Sequence, residues 1–264
     1  MTIISLPGGW VALRSINGHD ERTVEAVDLP AALDLLDRLL IDRPGTLIGH
    51  GGAGKLTVAA RDRVLAAVYS QIYGSMIAST VRCIACAKPF DVSFALGDLV
   101  AAQVATDTRP DTIFQTGDGW QFRLVTGDDE LAVFGLAPDV ARRALLERCS
   151  HMPDPPDDAT FDHIERHMEH IAPLVNVNLS AVCVECGREQ LINFDIQSFL
   201  LARLIKDKTR LMSEVHSLAV TYHWGLEEIL ALKRTERRQY LALIEAEARR
   251  MNMRAAGGRR RTGA

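Results

Sequence analysis

Two C-x-x-C motifs constrain the fold of this chain more than any other feature. Cys83 and Cys86 lie one hundred positions before Cys183 and Cys186. A strand-like alternation of apolar and polar residues follows each pair at the same offsets. Its apolar positions are Val92, Phe94 and Leu96 after the first pair and Ile192, Phe194 and Ile196 after the second. The matching flanks predict that the two motifs are equivalent parts of a repeat.

The spacing of these cysteines suits a metal ion. The tight turn of a C-x-x-C motif directs both sulfurs inward, so each pair can occupy two corners of one tetrahedral zinc. Four cysteines fill the zinc shell and leave no open position, which predicts a structural and not a catalytic ion. A lone C-x-x-C is also compatible with a redox pair, a disulfide or chance, and the pairs could be degenerate knuckles without metal. A redox pair favours a helix N-terminus, whereas both pairs here lead into strand-like segments.

Length and composition predict a soluble protein with one or two domains. The chain has 264 residues, of which 47% are hydrophobic, enough to build a core. Apolar runs are too short for a membrane helix, and the first residues lack a basic region ahead of an apolar core. We therefore expect a cytoplasmic protein without membrane contact, where reduced thiols favour metal over disulfide. Cys149 has no partner spacing and is expected to be a small buried residue.

The charge is unevenly distributed along the sequence. Residues 233–264 contain ten Lys or Arg and three Glu, a net charge of +7. Because the whole chain carries −4, residues 1–232 carry −4 − 7 = −11. A basic tail is compatible with a nucleic acid, an acidic partner or, most commonly, no partner at all. The acidic body would repel phosphates, so nucleic-acid binding is the less favoured alternative.

The repeat extends beyond the cysteines. WVALRSINGHDE, which begins at Trp10, matches WQFRLVTGDDE, which begins at Trp120, and Gly18 and Gly127 stand at equivalent positions. Apolar positions at helical spacing then predict two helices in each half. These predicted helices cover residues 29–40, 57–73, 136–149 and 159–172, with Thr57 as one N-cap and Asp157 or Asp158 as another.

These patterns predict an α+β fold. It consists of a tandem repeat of strand, helix, helix and zinc hairpin that shares one four-cysteine zinc site, followed by an all-helical C-terminal region. The predicted domains are 1–105 and 106–200 for the two repeats, 201–254 for the helical region and 255–264 for a disordered basic tail. The helical region is expected to break near 206–209, to end a helix at Gly225, and to continue as helices at 226–232 and 235–254. The acidic, proline-rich segment 151–158 is predicted to be an exposed loop.

Other motifs are weaker. Gly49–Leu56 matches a phosphate loop except at its last position, where Leu56 replaces the Ser or Thr that holds magnesium. His163, His167 and His170 lie at helical spacing, but HIERH is not the HEXXH pattern of a metalloprotease. No Ser/His/Asp or Cys/His arrangement stands out. The residues alone therefore predict no active site and no small-molecule substrate.

The C-terminal region provides a family resemblance. LMSEVHSLAVTYHWGLEEILALKRTERRQYLALI (211–244) resembles the hallmark segment of the baseplate hub assembly chaperone family of contractile-tailed bacteriophages and phage-tail-like contractile injection systems. The C-x-x-C knuckles and the RDRVLAAVY helix resemble the longer, zinc-bearing members. In the first knuckle, Ala85 and Ala87 replace the proline and glycine expected there. The residues we select from the segment as a partner-binding surface are Glu214, His216, Tyr222, His223, Trp224, Arg234, Arg237, Arg238 and Tyr240.

The resemblance implies a non-enzymatic role. The expected function is to assemble, or to form part of, the baseplate or hub of a contractile tail. The partners would be baseplate or hub proteins, bound through the C-terminal helices, and the protein would act in the cytoplasm or be incorporated in a tail-like particle. The alternative is a zinc-ribbon protein with a nucleic-acid-binding or regulatory function.

Overall fold

The structure is a computed structural model that describes residues 1–150 and 157–259. Side chains are described as far as residue 253. Most of the predicted loop 151–158 and the end of the predicted tail, residues 260–264, lie outside the described residues.

The fold mixes helices and strands, as predicted. In the described residues, strands pair as antiparallel hairpins of chain neighbours, β1 with β2, β3 with β4, β5 with β6 and β7 with β8. The strands are β1 (Thr2–Leu6), β2 (Gly9–Leu13), β3 (Met76–Arg82), β4 (Pro89–Ala95), β5 (Phe114–Gln115), β6 (Gln121–Phe122), β7 (Asn176–Val182) and β8 (Glu189–Asp195). The helices are α1 (Gly18–Thr23), α2 (Leu29–Leu39), α3 (Val58–Tyr73), α4 (Leu96–Ala102), α5 (Gly127–Ala132), α6 (Pro138–Cys149), α7 (Asp158–Ile171), α8 (Ile196–Tyr222), α9 (Leu226–Ala231) and α10 (Arg234–Arg259), and a 3-10 turn spans Ala53–Lys55.

Side-chain caps define where the helices begin. Thr57 accepts a hydrogen bond from the Ala60 amide at the start of α3, and Asp157 accepts one from Thr160 at the start of α7. Both caps agree with the sequence prediction. Each such cap stabilises a helix by about 1 kcal/mol. Asp28 caps α2 in the same way.

The chain divides into two compact units. The first comprises Met1–Arg14 and Ala26–Ala202, and the second comprises Ser15–Glu25 and the chain from Arg203 onward. Nothing in the sequence pattern indicates that residues 15–25 join the C-terminal helices.

The centre of the first unit is α3. Every residue from Ala59 to Ala66 is buried, including the charged Arg61, Asp62 and Arg63. These charges are compensated by polar partners, as buried charges require. Arg63 donates to the carbonyl oxygens of Ala59, Pro173 and Gln103, so this one side chain ties three segments together.

The cysteine-bearing segments form the hairpins β3–β4 and β7–β8. Their registers are equivalent, since Arg82 pairs with Pro89 and Val182 pairs with Glu189. The predicted strand segments therefore form, but Leu96 and Ile196 begin α4 and α8 instead of ending the strands.

The second unit corrects three predictions about the C-terminal region. Helix α8 runs unbroken to Tyr222, so the break expected at 206–209 does not occur. It ends before Gly225, at His223, whose positive φ of 58° stops a right-handed helix. Helix α10 extends to Arg259, into the segment predicted to be a disordered tail. Among the described residues, no helix combines the length and the apolar character that a membrane crossing needs.

Candidate metal centre

Each C-x-x-C motif forms the turn of a hairpin. In the first hairpin the Cys83 amide donates to the Lys88 carbonyl (3.0 Å) and the Ala87 amide donates to the Cys83 carbonyl (2.9 Å). The second repeats both bonds, from Cys183 to Arg188 and from Gly187 to Cys183, at 2.9 Å each. The equivalent hydrogen bonds give both motifs the same turn.

The residue after the second cysteine has a left-handed backbone in both turns. Its φ is 58° at Ala87 and 70° at Gly187. This conformation suits glycine and is unfavourable for residues with a Cβ atom. The departure at Ala87 therefore strains the first turn without changing its shape.

The two hairpins bring the four predicted cysteines together. The sulfur atoms of Cys83 and Cys186 are 3.6 Å apart, those of Cys86 and Cys183 are 3.8 Å apart, and all four lie within 4.8 Å of one another. Tetrahedral zinc with Zn–S bonds of about 2.3 Å separates its sulfurs by about 3.8 Å. A disulfide requires about 2.05 Å, and all four cysteines are free. The arrangement is compatible with a metal site.

The cluster lies at the contact between the hairpins. Cys83 and Cys183 are buried, Cys86 is half-buried and Cys186 is exposed. Phe90 is buried in the same cluster, and the rings of Phe94 and Phe194 meet edge to face at 5.0 Å. The sulfur cluster therefore packs against apolar side chains and is accessible to solvent at Cys186.

The peptide backbone prepares Cys83 to be a thiolate. The amides of Cys86 and Ala85 donate to its sulfur, the latter at 3.4 Å, and lower the pKa of this thiol to about 6. A thiolate is the form that binds metals. Four thiol donors suit a thiophilic ion such as zinc and fill its shell without an open position.

Sequence reasoning missed one residue of this site. The Gln190 side chain, from the second hairpin, accepts a hydrogen bond from the Ile84 amide (2.9 Å) and donates one to the Arg82 carbonyl (3.2 Å) of the first. Gln190 is buried. The position equivalent to Gln190 in the first hairpin is Phe90, so a comparison of the two hairpin sequences gives no signal for it. Lys88 and Glu185 form a second, exposed link between the turns.

Cys149 stands apart from the cluster, as predicted. It is fully buried in an apolar core with Phe122, Leu146 and Phe161. Burial raises the pKa of its thiol to about 12. Cys149 is thus a packing residue and remains protonated.

Among the described residues, the weaker motifs lack features that a phosphate or metal site would need. The Ala53 amide in the glycine-rich segment donates to Asp37 (2.7 Å) and the His50 amide donates to Asp42 (3.2 Å), so two amides of this segment are already bound to carboxylates. The His163 and His167 rings lie 4.4 Å apart. Within the described residues, however, the four cysteines are the only cluster close enough to hold a metal.

The structure separates the predicted partner-binding residues into two groups. Glu214, Arg234 and Arg237 are buried inside the second unit. Arg237 pairs with Glu214 and Glu21, and Arg234 pairs with Glu21 and Asp207. Their charges are therefore used within the fold. This corrects their assignment to a surface, because a fully enclosed guanidinium cannot contact a partner.

The remaining predicted residues reach the surface. His216, His223 and Arg238 are exposed, and Tyr222, Trp224 and Tyr240 are half-buried. The three aromatic rings pack against one another, with centroids 4.9 Å (Tyr222–Trp224), 5.6 Å (Tyr222–Tyr240) and 5.0 Å (Trp224–Tyr240) apart. The turn between α8 and α9 thus presents an aromatic cluster.

Comparison of the chain with models of protein families, with curated proteins and with solved structures gives no match.

Proposed function

We propose that the chain is a non-enzymatic assembly chaperone or structural component of the baseplate or hub of a phage-tail-like contractile injection system. The observation that carries the proposal is the aromatic cluster of Tyr222, Trp224 and Tyr240 at an exposed turn. It lies within the segment that resembles the hub assembly chaperones. Aromatic residues with one apolar face and one wet edge are frequent at the centres of protein interfaces.

His223 supports the same assignment. It follows the last residue of α8 in a left-handed conformation, with φ of 58°, a position where glycine is usual. A side chain kept at a strained and exposed position points to a role for that side chain. In this proposal the partner surface consists of His216, Tyr222, His223, Trp224, Arg238 and Tyr240.

The metal in this proposal is a structural zinc ion. Four thiols within 4.8 Å of one another form a closed shell, so the ion would hold the two hairpins together and bind no substrate. Gln190 and the Phe94–Phe194 contact would reinforce that joint.

We further infer that residues 1–105 and 106–200 are tandem repeats. Both contain a hairpin, a short helix with a capping box, a helix with proline in its first turn, a third helix, and a C-x-x-C hairpin that leads into a helix. The shared metal would then relate two equivalent hairpins.

Co-purification with baseplate and hub proteins of a contractile tail from the same organism tests the proposal. We expect the parent chain to retain one of these proteins. Trp224→Ala removes the centre of the aromatic cluster, and we expect it to reduce the amount retained at least tenfold.

His223→Gly sharpens this test, because glycine relieves the strained φ while removing the side chain. We expect the variant to be more stable than the parent and yet to retain less partner. Ala87→Gly is the matched control, since it relieves an equivalent φ of 58° far along the chain and should leave partner binding unchanged. Full retention by both Trp224→Ala and His223→Gly would contradict the proposed surface.

A further inference from the structure

An open cleft lies between α6 and α7. Its volume is about 590 Å³, and it is bounded by α6, the second half of α7, the start of α3 and the residues Leu124 and Val125 ahead of α5. All of these segments belong to the first unit. Clefts of about 300–1,000 Å³ bind organic molecules of the size of a drug. The cleft is therefore large enough for a ligand.

The walls of this cleft are largely apolar. Val58 lines it from the start of α3, Leu145 from α6 and Met168 from α7. Two further lining residues, Ala59 and Ala141, are small and leave space that a larger side chain would occupy. An apolar group that displaces water from such walls gains free energy. The first requirement of a ligand is thus an apolar body.

Charged side chains also line the cleft, and part of their charge is compensated within the fold. Of the described lining residues, four are acidic and one is basic. Glu130 pairs with the buried Arg61. Arg142 pairs with Glu165 (2.7 Å) and with Asp162 (2.5 Å). The one lining arginine is therefore already neutralised by carboxylates and is not available to attract an anion.

The remaining charge is that of Asp139 and Glu169. Both side chains are exposed and line the cleft, and neither forms an ion pair or a side-chain hydrogen bond with the described part of the chain. Glu169 is the third residue from the end of α7, where the helix dipole disfavours an anion. A cation bound beside Glu169 would be stabilised by the carboxylate and by the helix end together.

This surplus of negative charge lies beside apolar walls. Clefts that combine charge of one sign with walls of low dielectric constant concentrate the electrostatic field and attract ligands of the opposite charge. An anionic ligand would meet two uncompensated carboxylates, whereas a neutral ligand would leave both without a partner. The cleft therefore favours a molecule that has an apolar body and a positive group.

We propose that this cleft is a binding site for a small organic amine. The alkyl or aryl body of the amine fills the space beside Ala141, and the carboxylates of Asp139 and Glu169 stabilise its ammonium group. The proposal is independent of the baseplate assignment, because the cleft belongs to the first unit and the partner surface proposed above belongs to the second.

Displacement of a fluorescent reporter tests the site on the full chain. The reporter is N-phenyl-1-naphthylamine, which is uncharged at neutral pH and becomes brighter in apolar surroundings. Decylamine, decanol and decanoate then compete with it below their micelle concentrations, with the same alkyl chain and a positive, zero or negative charge. We expect decylamine to displace the reporter at a concentration at least tenfold lower than decanoate.

Ala141→Phe tests whether the reporter binds in the cleft, since the new ring would fill the free space. We expect the affinities for the reporter and for decylamine to fall at least tenfold. Ala144→Phe is the matched control, because Ala144 is a half-buried residue of the same helix that does not line this cleft, and it should bind both like the parent. A parent that does not bind the reporter, or equal binding by the parent and Ala141→Phe, would overturn the site.

Asp139→Asn/Glu169→Gln tests the selection for positive charge. We expect this variant to bind the reporter and decanol like the parent and to lose at least tenfold in affinity for decylamine. Asp98→Asn/Glu147→Gln is the control with the same change in net charge. Asp98 lies in the first turn of α4 as Asp139 does in α6, and Glu147 is third from the end of α6 as Glu169 is in α7.

The control variant should keep the parent's preference for decylamine. Equal affinity of the parent for decylamine and decanoate would overturn the assignment of a cationic ligand. An unchanged preference in Asp139→Asn/Glu169→Gln would do the same, as would an equal loss in both double variants, because the preference would then come from the net charge of the chain.

Discussion

The two cysteine hairpins reach the same geometry with different residues. Their registers and turn hydrogen bonds are equivalent, yet the first turn has Ala87 where the second has Gly187. Phe90 packs beneath the sulfurs, whereas Gln190 crosses to the other hairpin. The first hairpin therefore has the strained backbone, and the second provides the buried side chain that links the two. Two hairpins with the same backbone geometry can thus make different contributions to the site.

The largest effect should come from the cysteines, where the hairpins are predicted to be equal. Cys83→Ser and Cys183→Ser each remove one of the four ligands of the proposed zinc ion, so each should lose the metal and several kcal/mol of stability. At about 2–4 °C per kcal/mol, we expect melting temperatures to fall by more than about 10 °C in both. Elemental analysis and calorimetry measure this. Cys149→Ala should keep the metal, and a variant of the cluster that melts like the parent would contradict a shared site.

The next effect concerns how the hairpins are anchored. Asp62 accepts a hydrogen bond from the Val175 amide (2.9 Å), directly before β7, whereas the Tyr69 hydroxyl donates to Met76 in β3 (3.4 Å). Burial raises the pKa of Asp62 to about 6 from 3.8, with Arg61 and the Val175 hydrogen bond opposing the rise and Asp195 and Glu130 adding to it.

Because folding raises the pKa of Asp62, the contribution of this group to the free energy of unfolding is complete below its unfolded pKa of 3.8. That contribution is lost as the pH rises towards 6. The ionised form should lower the free energy of unfolding by about 3 kcal/mol. Asp62→Asn keeps the acceptor oxygen without the charge. We expect it to match the parent near pH 4 and to exceed it by up to about 3 kcal/mol at pH 8, measured by urea unfolding. Parallel pH profiles of the two proteins would show that Asp62 is not the group responsible.

Gln190 tests the asymmetry of the link. Gln190→Ala removes two hydrogen bonds to the first hairpin, and at about 1 kcal/mol each we expect a loss of about 2 kcal/mol in denaturant unfolding. Asn193→Ala is the control, because Asn193 is exposed and bonds to Asn176 within its own hairpin (2.9 Å). If the two substitutions cost the same, the second hairpin does not provide the link.

The smallest effect concerns the turns themselves. Ala87→Gly should stabilise the protein and Gly187→Ala should destabilise it, each by about 1 kcal/mol, because only glycine adopts a left-handed φ without strain. Chemical unfolding of both variants beside the parent gives the two signs. Two changes of the same sign would mean that strain is not what distinguishes the turns.

Sequence patterns predicted the features that depend on residues close together in the chain. The cysteine spacing, the helix caps at Thr57 and Asp157, and the isolated Cys149 follow from short-range geometry, and the structure confirms each. Gln190 was not predictable, because its role depends on a contact across more than a hundred residues and its equivalent is phenylalanine.

The C-terminal helices show the same limit. Arg234 and Arg237 read as surface residues, because arginine is rarely buried without a partner and their partner Glu21 lies more than two hundred positions away. Lys206–Thr209 suggested a break in α8, but these residues have adequate helix propensity and the helix continues through them.

Cys149 and the four clustered cysteines lie in different environments, so a thiol-labelling reagent should reach them at different stages of metal loss and unfolding. Alkylating reagents attack thiolates, so Cys149, protonated and enclosed, stays unmodified while its core is intact. In the proposed zinc-bound form the ion would shield the clustered thiols, and they would become reactive when it leaves. Of the five cysteines, four should therefore be labelled on metal release and the fifth only on unfolding, so that the mass of the labelled chain tells which of the two events came first.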